Sequence, residues 1–79
     1  MKAQISVTLK SGVLDPQGKA IEGALSSLGF GGVEGVRQGK LFEIELDETD
    51  PEVARKQLTE MCEKLLANTV IETYQVAIS

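Results

Sequence analysis

The dipeptide Asp-Pro occurs twice, at Asp15-Pro16 and Asp50-Pro51, and each time it precedes an amphipathic run. Aspartate at such a place caps a helix, because its carboxylate accepts the free backbone N–H groups of the first turn. Proline suits the next position, where the N–H it lacks would find no partner. The two marks lie 35 residues apart in a chain of 79. Two strand–helix units, one after the other, are the organisation they impose.

The segment before the first mark alternates without a fault over residues 2–10. Ala3, Ile5, Val7 and Leu9 point one way, and Lys2, Gln4, Ser6, Thr8 and Lys10 the other. This is a strand with one face on a core, ended by Ser11-Gly12. After Asp15-Pro16 the stripe Ala20, Ile21, Ala24, Leu25 and Leu28 defines a helix that Gly29 closes. Gly18 and Gly23 lie inside it and each costs about 1 kcal/mol relative to alanine. Gly23 points away from the stripe, which fits either a close backbone approach or a tolerated substitution.

Residues 33–37 and 40–47 read as two strands around Gln38-Gly39, with Gly39 supplying the positive φ of a tight turn. A single long strand bulged near Gly39 is the alternative. In the second helix Ala54, Leu58, Met61 and Leu65 form the stripe, with Cys62 and Leu66 on its shoulder. Glu52–Lys56 and Glu60–Lys64 have the favourable i,i+4 order. Asn68 can close this helix in a left-handed conformation. Residues 69–78 make the last strand.

The order β-α-β-β-α-β predicts an α+β, two-layer sandwich of ferredoxin-like type. Both helices lie on one face of an antiparallel sheet. With the bulged strand it becomes βαβαβ. The opposite face then carries Lys2, Gln4, Ser6, Thr8 and Lys10 beside Glu43, Glu45 and Asp47. Sheet edges unprotected by proline predict self-association, as a homodimer or a tetramer.

A chain this short allows a single domain, residues 1–79, near the size where one core only just suffices. Its 42% hydrophobic and 25% charged residues exclude disorder. One cysteine permits no internal disulfide and fits a reducing, cytoplasmic setting. No apolar run approaches the ~20 residues of a membrane span. Eight basic against 12 acidic residues, a net charge of −4, argue against a nucleic-acid binder. That charge is uneven: all eight glycines and a balance of +1 lie in residues 1–39, and −5 in the remainder.

Histidine is absent. With it go Ser-His and Cys-His nucleophile activation, histidine metal ligation and the usual general base. Cys62, the sole thiol, sits among Met61, Leu65 and Leu66, far from any helix N-terminus, and reads as a buried structural residue. Gly29-Phe30-Gly31-Gly32 follows a helix and precedes a strand, the reverse of a phosphate-cradling loop. The run G-x-x-x-G-K over residues 35–40 is one residue short of a P-loop and lacks its Ser/Thr. Glu43, Glu45 and Asp47 recur at ~7 Å along a strand, too extended to wrap one cation. Arg37 and Lys40 flank the proposed turn, where they either solubilise the tip or receive a partner's carboxylate or phosphate.

Three stretches carry a family likeness. Leu9-Lys10-Ser11-Gly12-Val13-Leu14-Asp15-Pro16-Gln17-Gly18, Val36-Arg37-Gln38-Gly39-Lys40 and Met61-Cys62-Glu63-Lys64-Leu65-Leu66-Ala67-Asn68-Thr69-Val70-Ile71-Glu72 resemble the small PurS subunit of phosphoribosylformylglycinamidine synthase. The likeness implies a cytoplasmic role in de novo purine biosynthesis. In that family's complex, formylglycinamide ribonucleotide, glutamine and ATP become formylglycinamidine ribonucleotide, glutamate, ADP and phosphate. The resemblance implies a non-catalytic chain without a cofactor of its own. It would bridge a large synthetase subunit, which holds ATP and magnesium, and a glutaminase subunit, so that ammonia passes between them. It points to Asp15, Gln17 and Gly18 at the first helix start, and to Arg37, Gly39 and Lys40, as partner contacts. A stand-alone ferredoxin-like domain that senses a small metabolite is the alternative function.

Overall fold

The computed structural model describes residues 1–79. β1 (Lys2–Leu9) is the central strand, and its alternation is resolved into faces: Ala3, Ile5 and Val7 are fully buried, while Lys2, Gln4, Ser6 and Thr8 are exposed. β2 (Gly39–Glu45) and β3 (Glu72–Ile78) pair with it on either side, both antiparallel, giving the order β2-β1-β3. Ile5 lies opposite Phe42 on one side and Val76 on the other, so one layer of apolar side chains crosses all three strands. The opposite face is the expected polar one, with Lys2 within 4.0 Å of Glu45.

Helices α1 (Pro16–Ser27) and α2 (Pro51–Met61) begin where the Asp-Pro marks place them. The Asp50 carboxylate accepts from the Glu52 N–H at 2.9 Å, and that of Asp15 from the Gly18 N–H at 2.9 Å. α2 covers the apolar sheet face and buries Ala54, Leu58 and Cys62 completely. Glu60–Lys64 closes at 3.1 Å, whereas Glu52–Lys56 does not form an ion pair. The elements and their antiparallel pairing give the ferredoxin-like α+β arrangement, with four corrections.

First, residues 33–37 form no strand, so the middle of the chain supplies one strand without a bulge. The stretch is tied down at its end instead, where the Gln38 N–H donates to the Asp15 carboxylate and the Arg37 side chain to the Leu9 carbonyl. Second, Gly39 has no positive φ; those belong to Gly12 and Gly29. Gly39 is needed for closeness: a Cβ there would lie 2.6 Å from the Val7 carbonyl oxygen.

Third, Leu65 is 82% exposed, because the end of α2 widens into a π-helical turn over Cys62–Leu66. The Ala67 N–H reaches back five residues to the Cys62 carbonyl, which rotates Leu65 outward and brings Ala67 into the core. Asn68 then nucleates a turn with a negative φ, its carbonyl accepting from Ile71 and Glu72, and β3 starts at Glu72. Fourth, α1 does not lie on the sheet. None of its residues joins the core or packs against it. The chain is 48 Å long and 14 Å thick, with a radius of gyration of 15.9 Å. A compact domain of this length would have about 12 Å. No helix is long and apolar enough to cross a membrane.

Candidate functional site

The site is built where three pieces of chain meet: the end of β1, the first turn of α1, and the segment that returns from α1 to β2. Asp15 organises it. One carboxylate oxygen accepts from Gly18 within the helix, and the other accepts from the Gln38 N–H of the returning segment at 2.9 Å. These N–H groups, foremost that of Gln38, hold the Asp15 carboxyl below its usual range, and the Arg37 charge acts in the same direction. Gly18 is buried, and a Cβ at this position would stand 2.2 Å from the Val36 carbonyl oxygen. The Arg37 guanidinium donates to the carbonyl of Leu9, the last residue of β1.

Around this junction runs an open groove of ≈ 460 Å³, floored by Val7 and Leu9 and rimmed by Asp15, Gln17, Gln38, Gly39, Lys40 and Glu72. Lys40 spans β1 to reach Glu72 at 3.9 Å, and Glu72 also accepts from the Asn68 N–H at 2.6 Å. The lysine end of that pair is exposed, so the contact contributes no more than about 1 kcal/mol and leaves the ammonium open to another carboxylate.

The six residues singled out from sequence, Asp15, Gln17, Gly18, Arg37, Gly39 and Lys40, therefore come together in one place. Their roles divide. Asp15, Gly18, Arg37 and Gly39 hold the backbone in shape, while Gln17 and Lys40 present exposed polar ends on the rim, Lys40 beside Glu72. Gln38, Val36 and Glu72 complete the site; all three lie in the stretches that carry the family likeness, but two act through the main chain and Glu72 reads as an ordinary strand residue, so none is singled out there. A clue does exist at Gly18: a helix-weakening glycine in the first turn, three residues after the cap, marks close backbone approach. Gly23, where such an approach was one option, has nothing nearby.

Elsewhere the residues offer little for chemistry. Cys62 is buried beneath the end of α2, and burial, then the Glu63 charge, push its thiol up and away from the reactive thiolate. The Tyr74 hydroxyl donates to Glu63 at 2.7 Å, which raises its own pKa. No three acidic or sulfur side chains converge as a metal site would require.

A second surface is more unusual. Along α1 and just beyond it, Ile21 is 39% exposed, Leu28 74%, Phe30 58% and Val33 36%, and none of them joins the core or packs against it. On the sheet, Phe42, Ile44 and Leu46 are only half-buried, because α2 alone occupies their face. A partly exposed apolar helix that stays off the sheet and a half-covered apolar sheet thus coexist in one molecule.

The family model for PurS, phosphoribosylformylglycinamidine (FGAM) synthase, matches residues 2–79. The chain belongs to the PurS family. It is 51% identical to the phosphoribosylformylglycinamidine synthase subunit PurS of Synechocystis, over 90% of this chain and 71% of that one. Its fold superposes on the crystal structure of Methanocaldococcus jannaschii PurS with a TM-score of 0.90 and 41% identity, covering 99% of this chain and 94% of the other. It also matches a chain in the structure of PurLQS from Thermotoga maritima, with a TM-score of 0.88, 36% identity, and coverage of 96% and 93%. As a PurS chain it is a subunit of the FGAM synthase ligase of purine biosynthesis, and the metabolite-sensor alternative is not favoured.

Proposed function

We propose that residues 1–79 act as a single PurS-like domain that joins a large synthetase subunit to a glutaminase subunit in the cytoplasm, so that ammonia passes between them. ATP and magnesium bind to the synthetase, and this chain contributes surface. The observation that carries the reading is the match, over nearly the whole chain, to a chain in the PurLQS structure. The absence of histidine agrees, since neither a glutaminase triad nor a histidine base can be built from these residues.

Self-association follows from the unpartnered α1. In a symmetric pair, the stripe Ile21, Leu25 and Leu28 of each copy covers the half-buried Phe42, Ile44 and Leu46 of the other. Exchange of an identical element is a low-cost route to a dimer, because the contact it uses is the one a closed chain would make with itself. The pair restores two helices to each sheet face, and its outer surfaces carry two copies of the Gln17–Lys40 groove. A tetramer needs a further surface, which the bare polar face of the sheet supplies.

Gln17 and Lys40 form the contact with the larger subunits, shaped by Asp15, Gly18, Arg37 and Gly39. The test is assembly: purified synthetase and glutaminase are sized together with and without this chain. The three-component species should appear only when it is present. Lys40→Ala should weaken that species about tenfold while leaving the dimer intact. Equal assembly by Lys40→Ala and wild type would remove the groove from the account.

A further inference from the structure

Helix α1 stays off the sheet and is fastened to the end of β1 and to the returning segment at its root. The root has three fastenings: Gly18 against the Val36 carbonyl, Arg37 to the Leu9 carbonyl, and the Asp15 carboxylate between Gly18 and Gln38. On either side of it lie segments built to bend. Gly12 takes φ +89° between β1 and the helix, and Gly29 takes φ +101° at its far end, followed by Gly31, Gly32 and Gly35. The same connections can therefore carry the helix in two ways, outward or back over its own sheet, and the outward form is the one observed.

We propose that the Asp15 carboxylate is a latch that holds α1 outward and so decides between a closed monomer and an exchanging dimer. The proposal rests on the dimer reading given above. With both carboxylate oxygens engaged, the returning segment is pinned to the first turn of α1, and the helix cannot rotate about the root. When the Gln38 bond is lost, the bend at residues 11–14 lets the stripe of α1 fall on Phe42, Ile44 and Leu46 of its own chain. The surface that a second copy needs is then consumed internally. Hinge geometry, and not the apolar contact itself, separates closed from exchanged forms.

Asp15→Asn isolates the latch from the cap. Asparagine caps a helix as well as aspartate does, so its oxygen keeps the Gly18 bond. Its amide then faces the Gln38 N–H, donor against donor, and that link is lost. Light scattering and small-angle X-ray scattering along a dilution series of both proteins provide the test. Asp15→Asn should keep its helical circular dichroism, dissociate at concentrations at least tenfold higher than wild type, and give a compact monomer. Its radius of gyration should fall from near 15.9 Å towards about 12 Å. An unchanged dimer, or dissociation to a monomer as extended as the wild type, overturns the latch. Should the wild type itself stay monomeric throughout, the dimer reading fails, yet the difference in radius between the two monomers still decides whether Asp15 holds the helix outward.

Discussion

Leu28 gives the sharpest test of exchange between copies. It is 74% exposed and touches no core residue, so Leu28→Ala should leave the folding of a single chain within about 0.5 kcal/mol. Complete burial of a leucine contributes roughly 1.5–3 kcal/mol, so burying the exposed three-quarters contributes about 1–2 kcal/mol per site. A symmetric pair contains the site twice, and the loss becomes about 2–4 kcal/mol. At about 1.4 kcal/mol per tenfold, the dimer Kd should rise roughly 30- to 700-fold. Sedimentation across a dilution series reads this directly. Leu65 supplies the control, being 82% exposed on the outer side of the π turn, away from the proposed contact. Leu65→Ala should leave the dimer Kd unchanged. If both variants shift it equally, or neither does, helix exchange is wrong.

Two further expectations concern the chain alone. Leu58 is fully buried at the centre of the α2–sheet contact, and Leu58→Ala should cost about 2–5 kcal/mol in urea unfolding; a loss below about 1 kcal/mol would mean that the core lies elsewhere. Acid should release the latch at Asp15. Because this carboxyl is held below its usual value of 3.8, its contribution is complete above that value and vanishes as pH falls through the lower, folded-state one. The radius of gyration of the wild type should therefore be flat down to about pH 4 and change below it. Asp15→Asn should lack that step, and a wild-type step at about pH 6 would assign the release to some other group.

What the sequence made legible was local. The Asp-Pro caps and the alternation of β1 act over a few residues, and both elements form where they point. Leu65 shows where such reasoning stops: a 3.6-residue period places it beside Leu58 and Met61, but one hydrogen bond reaching five residues back turns it out. Residues 33–37 have strand-like side chains, yet they pair with nothing, and β2 starts only at Gly39, just past the Gln38 N–H that a carboxylate 23 residues away has taken. The stripe on α1 announces a buried face without saying which molecule buries it. For the site, the family motifs picked out residues that the fold brings together, while the division between shaping and presenting residues depended on main-chain contacts that leave no pattern in the sequence.

The central claim is that this chain supplies docking surface and its neighbours perform the chemistry. It is tested most directly by measuring amidation in the reconstituted synthetase and glutaminase, with and without the chain, using glutamine and then free ammonia as the nitrogen source. Glutamine-dependent turnover should rise strongly when the chain is added, while ammonia-dependent turnover by the synthetase should change little. Equal stimulation with both nitrogen sources, or turnover by the purified chain on its own, would contradict the account.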